Sequence, residues 1–473
     1  MTVSLQAYLD NLEEENYELM VGTGDSNALS YGFTQKRAVH PGVSGKMIPP
    51  PMAPQKWVEL MEQEPDMSRK RMVYIHIPFC SHICLYCGFF QNFINEDREQ
   101  RYVERLLKEL EMAKEDKMLQ AKPMQCVFFG GGTPSALSPA NITKVLQKLK
   151  ECIPLTNDCE ITMEARIYDL QKERIEAWFA NGVNRVSIGV QSFDTKIRQA
   201  SGRLDTKETV MERLKLISSY DQASIIVDII FGLPGQTLDS FMEDLACIDS
   251  LPISGMDLYQ LNLFSGSPMA KAIQKGSLPQ AATRAEQAIM FAAAEKWLND
   301  RGYKRLSNCH WAKDIRERSM YNILAKTGAD VFPFGCGAGG FVGQYSTMQM
   351  RDLEKYITMI DKGKKPIMVM SGKSPYDEVH KKISQNMEQG YLDLRGITAE
   401  NPELVQLEYI LNIWLKNGLM RKGEVMYFQT QAGRFWQNNL TQSLLECCEY
   451  ILSQGKVKEA KPMQGMDGKH VSA

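Results

Sequence analysis

Six short apolar runs, at 72–77, 126–130, 159–164, 185–190, 224–231 and 257–263, alternate with helix-patterned stretches such as 96–119 and 239–252. This alternation limits the fold more than any other feature of the chain. A strand followed each time by a helix has no tight turn with which to return as a hairpin, so the strands run parallel and the helices cover them. The expected fold is α/β, an incomplete (β/α)6 barrel. In such folds the carboxyl edge of the sheet carries the active site, and the polar residues agree. After the first run comes a cysteine loop, after the second Gly130 to Pro134, and near the ends of the others Glu164, Gln191, Asp228 and the pair Gln260 and Asn262.

On either side of this core the composition changes. Residues 1–65 hold a Pro-rich and Gly-rich approach that cannot form its own core, and are expected to be an extended arm packed over the site. In that arm Lys36, Arg37 and His40 suit an anionic ligand, or simply a solvated surface. The barrel and its extension are expected over 66–345. A mainly helical, winged-helix-like domain is expected over 346–473, with a turn-rich insert at 417–433 and a loose tail from Val457. Acidic and basic residues nearly cancel, 57 against 55, which gives no electrostatic case for nucleic acid or an anionic membrane. No apolar run approaches a membrane span, and the start has no secretory pattern, so a cytoplasmic location is expected. Eleven cysteines in such a chain point to reduced thiols with a metal role.

Three of them, Cys80, Cys84 and Cys87, are spaced C-x3-C-x2-C. A loop that short wraps one compact centre, either an iron–sulfur cluster or zinc. Zinc would need a distant fourth ligand such as His76, His82 or Cys309. A four-iron cluster held by three thiolates leaves one iron open for chemistry. The remaining cysteines sit in apolar or helical runs without ligand spacing, where a buried thiol is the plain reading.

Gly130, Gly131 and Gly132 allow close backbone approach and leave amides for an anion, without the Lys-Ser/Thr of a P-loop. Glu164 and Asp228 are acids within apolar strands, where burial of an unbonded polar group costs roughly 2–7 kcal/mol or more. A ribose, an ammonium or a structural Arg such as Arg185 would satisfy them. Beyond the sixth run, a helix is expected over 281–300, then the 302–322 segment and glycine-rich 332–346.

The cysteine triplet, GGGTP, RVSIGVQSF and VDIIFGLPGQT, in this order, resemble the radical S-adenosylmethionine (SAM) enzymes, in the oxygen-independent coproporphyrinogen oxidase-like branch. CGFFQN, KRAVHPG, RERSMYN and FGCGAGG are most similar to the anaerobic heme-degrading group, the anaerobilin synthases. The resemblance covers about residues 70–455. It implies a [4Fe-4S] cluster on Cys80, Cys84 and Cys87, whose open iron chelates SAM to give a 5′-deoxyadenosyl radical. It further implies SAM contacts at Tyr74, Tyr86, Gly131, Gly132, Thr133, Glu164, Gln191, Arg203 and Asp228, and more loosely at Asn262 and Phe341. The coproporphyrinogen oxidases continue C-x-x-C-x-C, whereas Gly88 and Phe89 come after Cys87 here, which weakens that assignment.

The implied activity is that of a radical SAM methyltransferase, using two SAM molecules, that opens the heme porphyrin ring anaerobically to a linear tetrapyrrole and releases iron. The alternatives are a heme-binding or heme-transfer protein of the same branch and an oxygen-independent coproporphyrinogen III dehydrogenase. The implied partners are heme as substrate, an electron donor such as flavodoxin, a heme carrier and a tetrapyrrole reductase. For heme the segment His310 to Tyr321 with the glycines at 335–340 is the expected pocket. His310 is a candidate axial ligand there, and Arg316 and Arg318 are candidate propionate partners.

Overall fold

The computed structural model describes residues 3–43 and 45–456; the tail from Val457 lies outside them. The six runs are strands Arg71–Ile77, Met124–Gly131, Leu155–Arg166, Arg185–Gln191, Ser224–Phe231 and Gly255–Gln260. They pair parallel in that order. Their outward side chains meet helices Glu96–Met112, Pro139–Cys152, Lys172–Ala180, Lys207–Ser219, Leu238–Asp249 and Arg284–Asp300. Polar caps set where most of these helices start: Asn95, Ser138, Thr206, Thr237 and Thr283 each accept a backbone N–H of the first turn. Burial on both faces makes the strands continuous apolar runs; Val73, Ile75, Val127, Phe129, Val186 and Ile188 are fully buried.

The sheet does not close. Beyond the first strand it continues through Asp330–Phe334, which pairs parallel, and then antiparallel Gly339–Val342, Tyr345–Gln349 and Ile367–Gly372. Beyond the sixth it continues through antiparallel His310–Ala312. The boundary expected at 345 therefore cuts a hairpin of the main sheet, whose last long strand ends at Gly372. The mainly helical C-terminal unit begins after that strand. Its insert at 417–433 holds strands Met420–Lys422 and Tyr427–Gln429, which join Tyr391–Leu392 in a three-stranded sheet packed on helices Asp377–Glu388 and Glu408–Lys416.

The N-terminal arm is helical rather than extended, with helices Leu5–Asp10, Glu14–Val21, Ala28–Tyr31 and Ala53–Met61. It borrows the core it cannot make. Leu5 and Leu9 are fully buried and belong to the main hydrophobic core, and the Leu5 N–H donates to Gln406 Oε1 at 2.9 Å. Arg37 is spent here: it donates to Ser443 Oγ at 2.7 Å and to Glu446 Oε2 at 2.6 Å. Among the described residues no helix is long and apolar enough to cross a membrane.

Candidate active site

The first strand runs into a two-residue strand, Phe79–Cys80, paired parallel with Asn92–Phe93, so both ends of the cysteine loop are clamped together. Inside the loop the Cys87 N–H donates to Cys84 O at 3.1 Å, and the Leu85 N–H to Ser201 O at 3.1 Å. Cys80 and Cys84 are buried and Cys87 is half-buried. Donors are aimed at the sulfurs. Cys80 Sγ accepts from Thr133 Oγ1 and from Arg166 Nη2, both at 3.3 Å, and Cys87 Sγ from the Phe89 N–H at 3.3 Å. Burial pushes the Cys80 thiol up, while Arg166 and Thr133 pull it down. Such donors stabilise anionic sulfur, and hydrogen bonds to sulfur are how proteins tune iron–sulfur centres. The residues fit a cluster.

Of the proposed fourth zinc ligands, His76 has both ring nitrogens engaged, Nδ1 with Tyr74 OH at 3.0 Å and Nε2 with Gln91 Nε2 at 3.3 Å. Cys309 lies beyond the sixth strand, where its carbonyl accepts the Leu258 N–H. His82 is in the loop itself, its Nδ1 3.0 Å from Ser81 Oγ.

The protein's own packing requires the glycine run. Gly131 has φ +113°, and a Cβ there would lie 2.7 Å from the His76 ring; a Cβ on Gly132 would lie 2.5 Å from Phe79 O. The second strand can reach the cysteine loop only without side chains. Two of the amides expected to be free are used: Gly132 N–H donates to Ile77 O at 2.8 Å, and Gly131 N–H to the Glu164 carboxylate.

Between the loop and the sheet lies a cleft, marked by half-buried polar residues on otherwise buried strands: Tyr74, Glu164, Asp228 and Gln260. One wall is aromatic, with Phe128 stacked on Tyr321 at 4.1 Å and Tyr74 within 6.2 Å of Phe128. Asp228 accepts from Ser187 Oγ at 3.0 Å. At the end of the fourth strand Gln191 sits at φ +74° with its Oε1 buried and unpartnered. That conformation is costly for a non-glycine residue and concentrates at functional sites. Beside it Arg203 donates from Nε to Tyr86 OH at 2.9 Å, joining the fourth-strand loop to the cysteine loop. Thus Tyr86, Thr133, Gln191 and Arg203 gather around the cysteines, and Tyr74, Gly131, Glu164 and Asp228 line the cleft. Asn262 stands on its rim, donating to Gln260 O at 3.4 Å. Phe341 lies beyond the first strand, under Lys373 Nζ at 3.7 Å.

Burial, reinforced by Asp228, pushes the Glu164 carboxyl up to about 8, and the hydrogen bond from Gly131 only partly offsets this. Burial, then Asp257, also raises Asp228. A carboxyl whose folded pKa is raised contributes stability below its unfolded value, about 4.3, and loses it as pH rises through the folded value. The ligand-free protein should therefore weaken towards pH 8, and Glu164→Gln should flatten that fall. Urea midpoints from pH 5 to pH 9 check this; an unchanged slope in the variant would remove Glu164 as the cause.

The expected heme pocket requires correction. Strand His310–Ala312 is antiparallel to the sixth strand, with His310 opposite Asp257 and Ala312 opposite Gly255, so the chain descends to the amino edge of the sheet, away from the cysteines. His310 is fully buried, its Nδ1 2.8 Å from Asp257 Oδ1 and its Nε2 2.9 Å from Glu317 Oε1. Burial works against its charge, yet Asp257 and Glu317 together raise it to about 9. An imidazolium donating from both nitrogens has no lone pair for iron. Arg316 pairs with Asp221, in the turn before the fifth strand, and Arg318 donates to Asp158 O, near the start of the third strand, at 3.3 Å. Both lie at the wrong edge for a ligand in the cleft. This segment plugs the barrel bottom through Glu317, which accepts from Arg185 at 3.1 Å and from Ser224 at 2.7 Å. Arg185 thus bonds Glu317 and reaches Glu164 and Asp228 only through its charge. Asp257 and Phe128 carried no sequence signal beyond being a polar and an aromatic residue in a strand, whereas Glu317 and Tyr321 lie in the RERSMYN motif, with no role assigned to either from sequence.

A family model of the radical SAM superfamily matches residues 74–248. The chain is 36% identical over 433 residues to the anaerobilin synthase of Escherichia coli O157:H7, spanning 91% of this chain and 96% of that protein. It is 27% identical over 384 residues to the heme chaperone HemW of Bacillus subtilis (strain 168), spanning 78% and 98%. Among solved structures, the coproporphyrinogen III oxidase (HemN) from Escherichia coli superposes with a TM-score of 0.71 at 20% identity, over 82% of this chain and 93% of that one, which is a likeness of fold.

Proposed function

The chain belongs to the radical SAM superfamily and, within it, to the family of the Escherichia coli anaerobilin synthase, and from that membership we propose that it opens the porphyrin ring of heme without oxygen. In this reading a methyl group is transferred, a linear tetrapyrrole leaves and iron is released. The observation that carries it is 36% identity to the anaerobilin synthase over 91% of the chain, in which the cysteine triplet is present and continues with Gly88 and Phe89.

When bound, a four-iron cluster with SAM supplies a 5′-deoxyadenosyl radical, and a second SAM is the methyl donor. The chain's own residues do the holding. Cys80, Cys84 and Cys87 take the cluster, with Thr133 and Arg166 donating to the Cys80 sulfur. Tyr86, Gln191 and Arg203 orient SAM beside them, and the unpartnered Gln191 Oε1 is an acceptor ready for a donor group. Glu164 and Asp228 offer paired oxygens to hydroxyl or ammonium groups within the cleft. The Tyr74, Phe128 and Tyr321 rings offer a flat wall to a conjugated ligand. The reading calls for a low-potential electron donor such as flavodoxin, a carrier that delivers heme, a reductase for the tetrapyrrole, and a cytoplasmic setting in which thiols stay reduced.

A second reading, a heme-binding protein that leaves the porphyrin intact, is favoured by the match over 98% of HemW. One experiment separates the two. Under anaerobic conditions with SAM and a reductant, the heme absorption band should disappear, and mass spectrometry should find a methylated linear tetrapyrrole. A persistent band with intact heme recovered would favour the carrier.

A further inference from the structure

Two neighbouring cations at the carboxyl edge of the sheet, Lys36 and Arg284, are half-buried without an acid. Lys36, on the arm, places Nζ 4.2 Å from the Phe435 ring centroid and 4.7 Å from that of Trp436. Arg284, the first residue of its helix, places Cζ 5.8 Å from the same Trp436 ring. Lys36 donates to Phe435 O and Arg284 to Thr34 O, and among the described residues neither has a carboxylate within 4.0 Å. Close by, Arg37 is paired with Glu446 and Arg434 with Glu295. Burial, then the charge of Arg284, pushes the Lys36 ammonium down to about 7. Like charges left together without an acid are unfavourable, and an anion would relieve them. With one N–H of each side chain used, most of their donors remain to be spent.

The pair stands at the edge that carries the cysteine loop. The approach to Arg284 is tied to the loop after the fifth strand, Ala282 N–H to Gly232 O at 3.2 Å and Gly235 N–H to Gln280 O at 3.3 Å. One turn into the helix, Gln287 bonds Gln260 at 2.6 Å and Leu261 O at 3.3 Å, at the end of the sixth strand.

We propose that Lys36 and Arg284 seat the propionate carboxylates of the tetrapyrrole, with Phe435 and Trp436 as the apolar backing, a placement that rests on the heme reading above. A flat ligand with two acids on one edge matches two acid-free cations at one rim, and Arg can grip a carboxylate through two parallel N–H bonds.

The test compares heme with its dimethyl ester, which keeps the ring and iron but has neutral side chains, in anaerobic titrations of the wild type and of the Lys36→Met, Arg284→Met double variant. The wild type should bind heme about tenfold or more tightly than the ester, and the double variant should lose that preference while binding the ester as before. Equal wild-type affinity for the two porphyrins overturns the seat, and so does a double variant that still prefers heme. A wild type that binds neither removes the heme reading and the seat with it. If the double variant does not fold, as judged by its SAM affinity, the single variants Lys36→Met and Arg284→Met are titrated instead, and each should lose part of the preference for heme; a folded single variant that keeps all of it overturns the seat.

Discussion

Cys84→Ala should yield a folded protein with no four-iron cluster and no SAM cleavage. Cys84 is buried at the centre of the triplet, and the backbone around it is held independently of its sulfur by the Leu85 to Ser201 and Cys87 to Cys84 bonds. Removing the thiol therefore leaves the loop in place with two ligands. Three thiolates are the least that hold a cubane with one iron left for SAM. Iron and acid-labile sulfide per chain, measured after anaerobic reconstitution, give a readout that does not depend on turnover. Stoichiometric iron and sulfide in the variant, or one zinc per chain and no sulfide in the wild type, would end the cluster assignment.

The second large effect is expected at the other edge of the barrel. Glu317→Ala should destabilise the fold by about 3–5 kcal/mol, the scale for removing one partner from a buried charge group. Glu317 is the hub of the plug. Burial alone would raise its carboxyl, but Arg185 and His310 hold it down at about 2. Without it Arg185, itself buried, faces Glu160 and Asp257 only at longer range, and His310 keeps one acid of two. Glu317→Gln, which retains an acceptor for Ser224 and Arg185, should cost less. In the wild type the His310 contribution is fully present below its unfolded pKa of about 6.5 and is lost as pH rises through about 9. Denaturant midpoints at pH 7 and pH 10 measure both effects. A loss under about 1 kcal/mol in Glu317→Ala would mean that the network is not what closes the barrel.

The strands and the cysteine loop were legible because both are local. A run of β-branched and aromatic residues between polar helix caps specifies its own conformation, and the loop ligands lie within eight residues, so no distant contact is needed to bring them together. The order of the motifs along the chain likewise determined which polar residues reach the carboxyl edge, since in a parallel sheet every strand ends on the same side. The arm was not legible in this way. Its helices are short, and short helices are stable only when another element buries their apolar face; Leu5 and Leu9 find theirs in the shared core, with Gln406 some 400 residues away holding the first turn.

His310, Arg316 and Arg318 show the limit most plainly. An imidazole and two guanidinium groups after the last strand have the chemistry of a heme pocket and equally that of a structural plug, and nothing in their spacing separates the two. The difference is the direction of three residues: His310–Ala312 pairs antiparallel with Gly255–Asp257 and carries the chain through Arg318 to the amino edge. Asp257 meets His310 on the way down, level with Asp228, and at the amino edge Glu317, Asp221 and Glu160 meet the cations. Residue type determined that these side chains would seek acids; which acids they met, and at which end of the barrel, was decided by strand pairing between segments about 50 residues apart. That pairing depends on burial of the whole sheet, which no window of sequence contains.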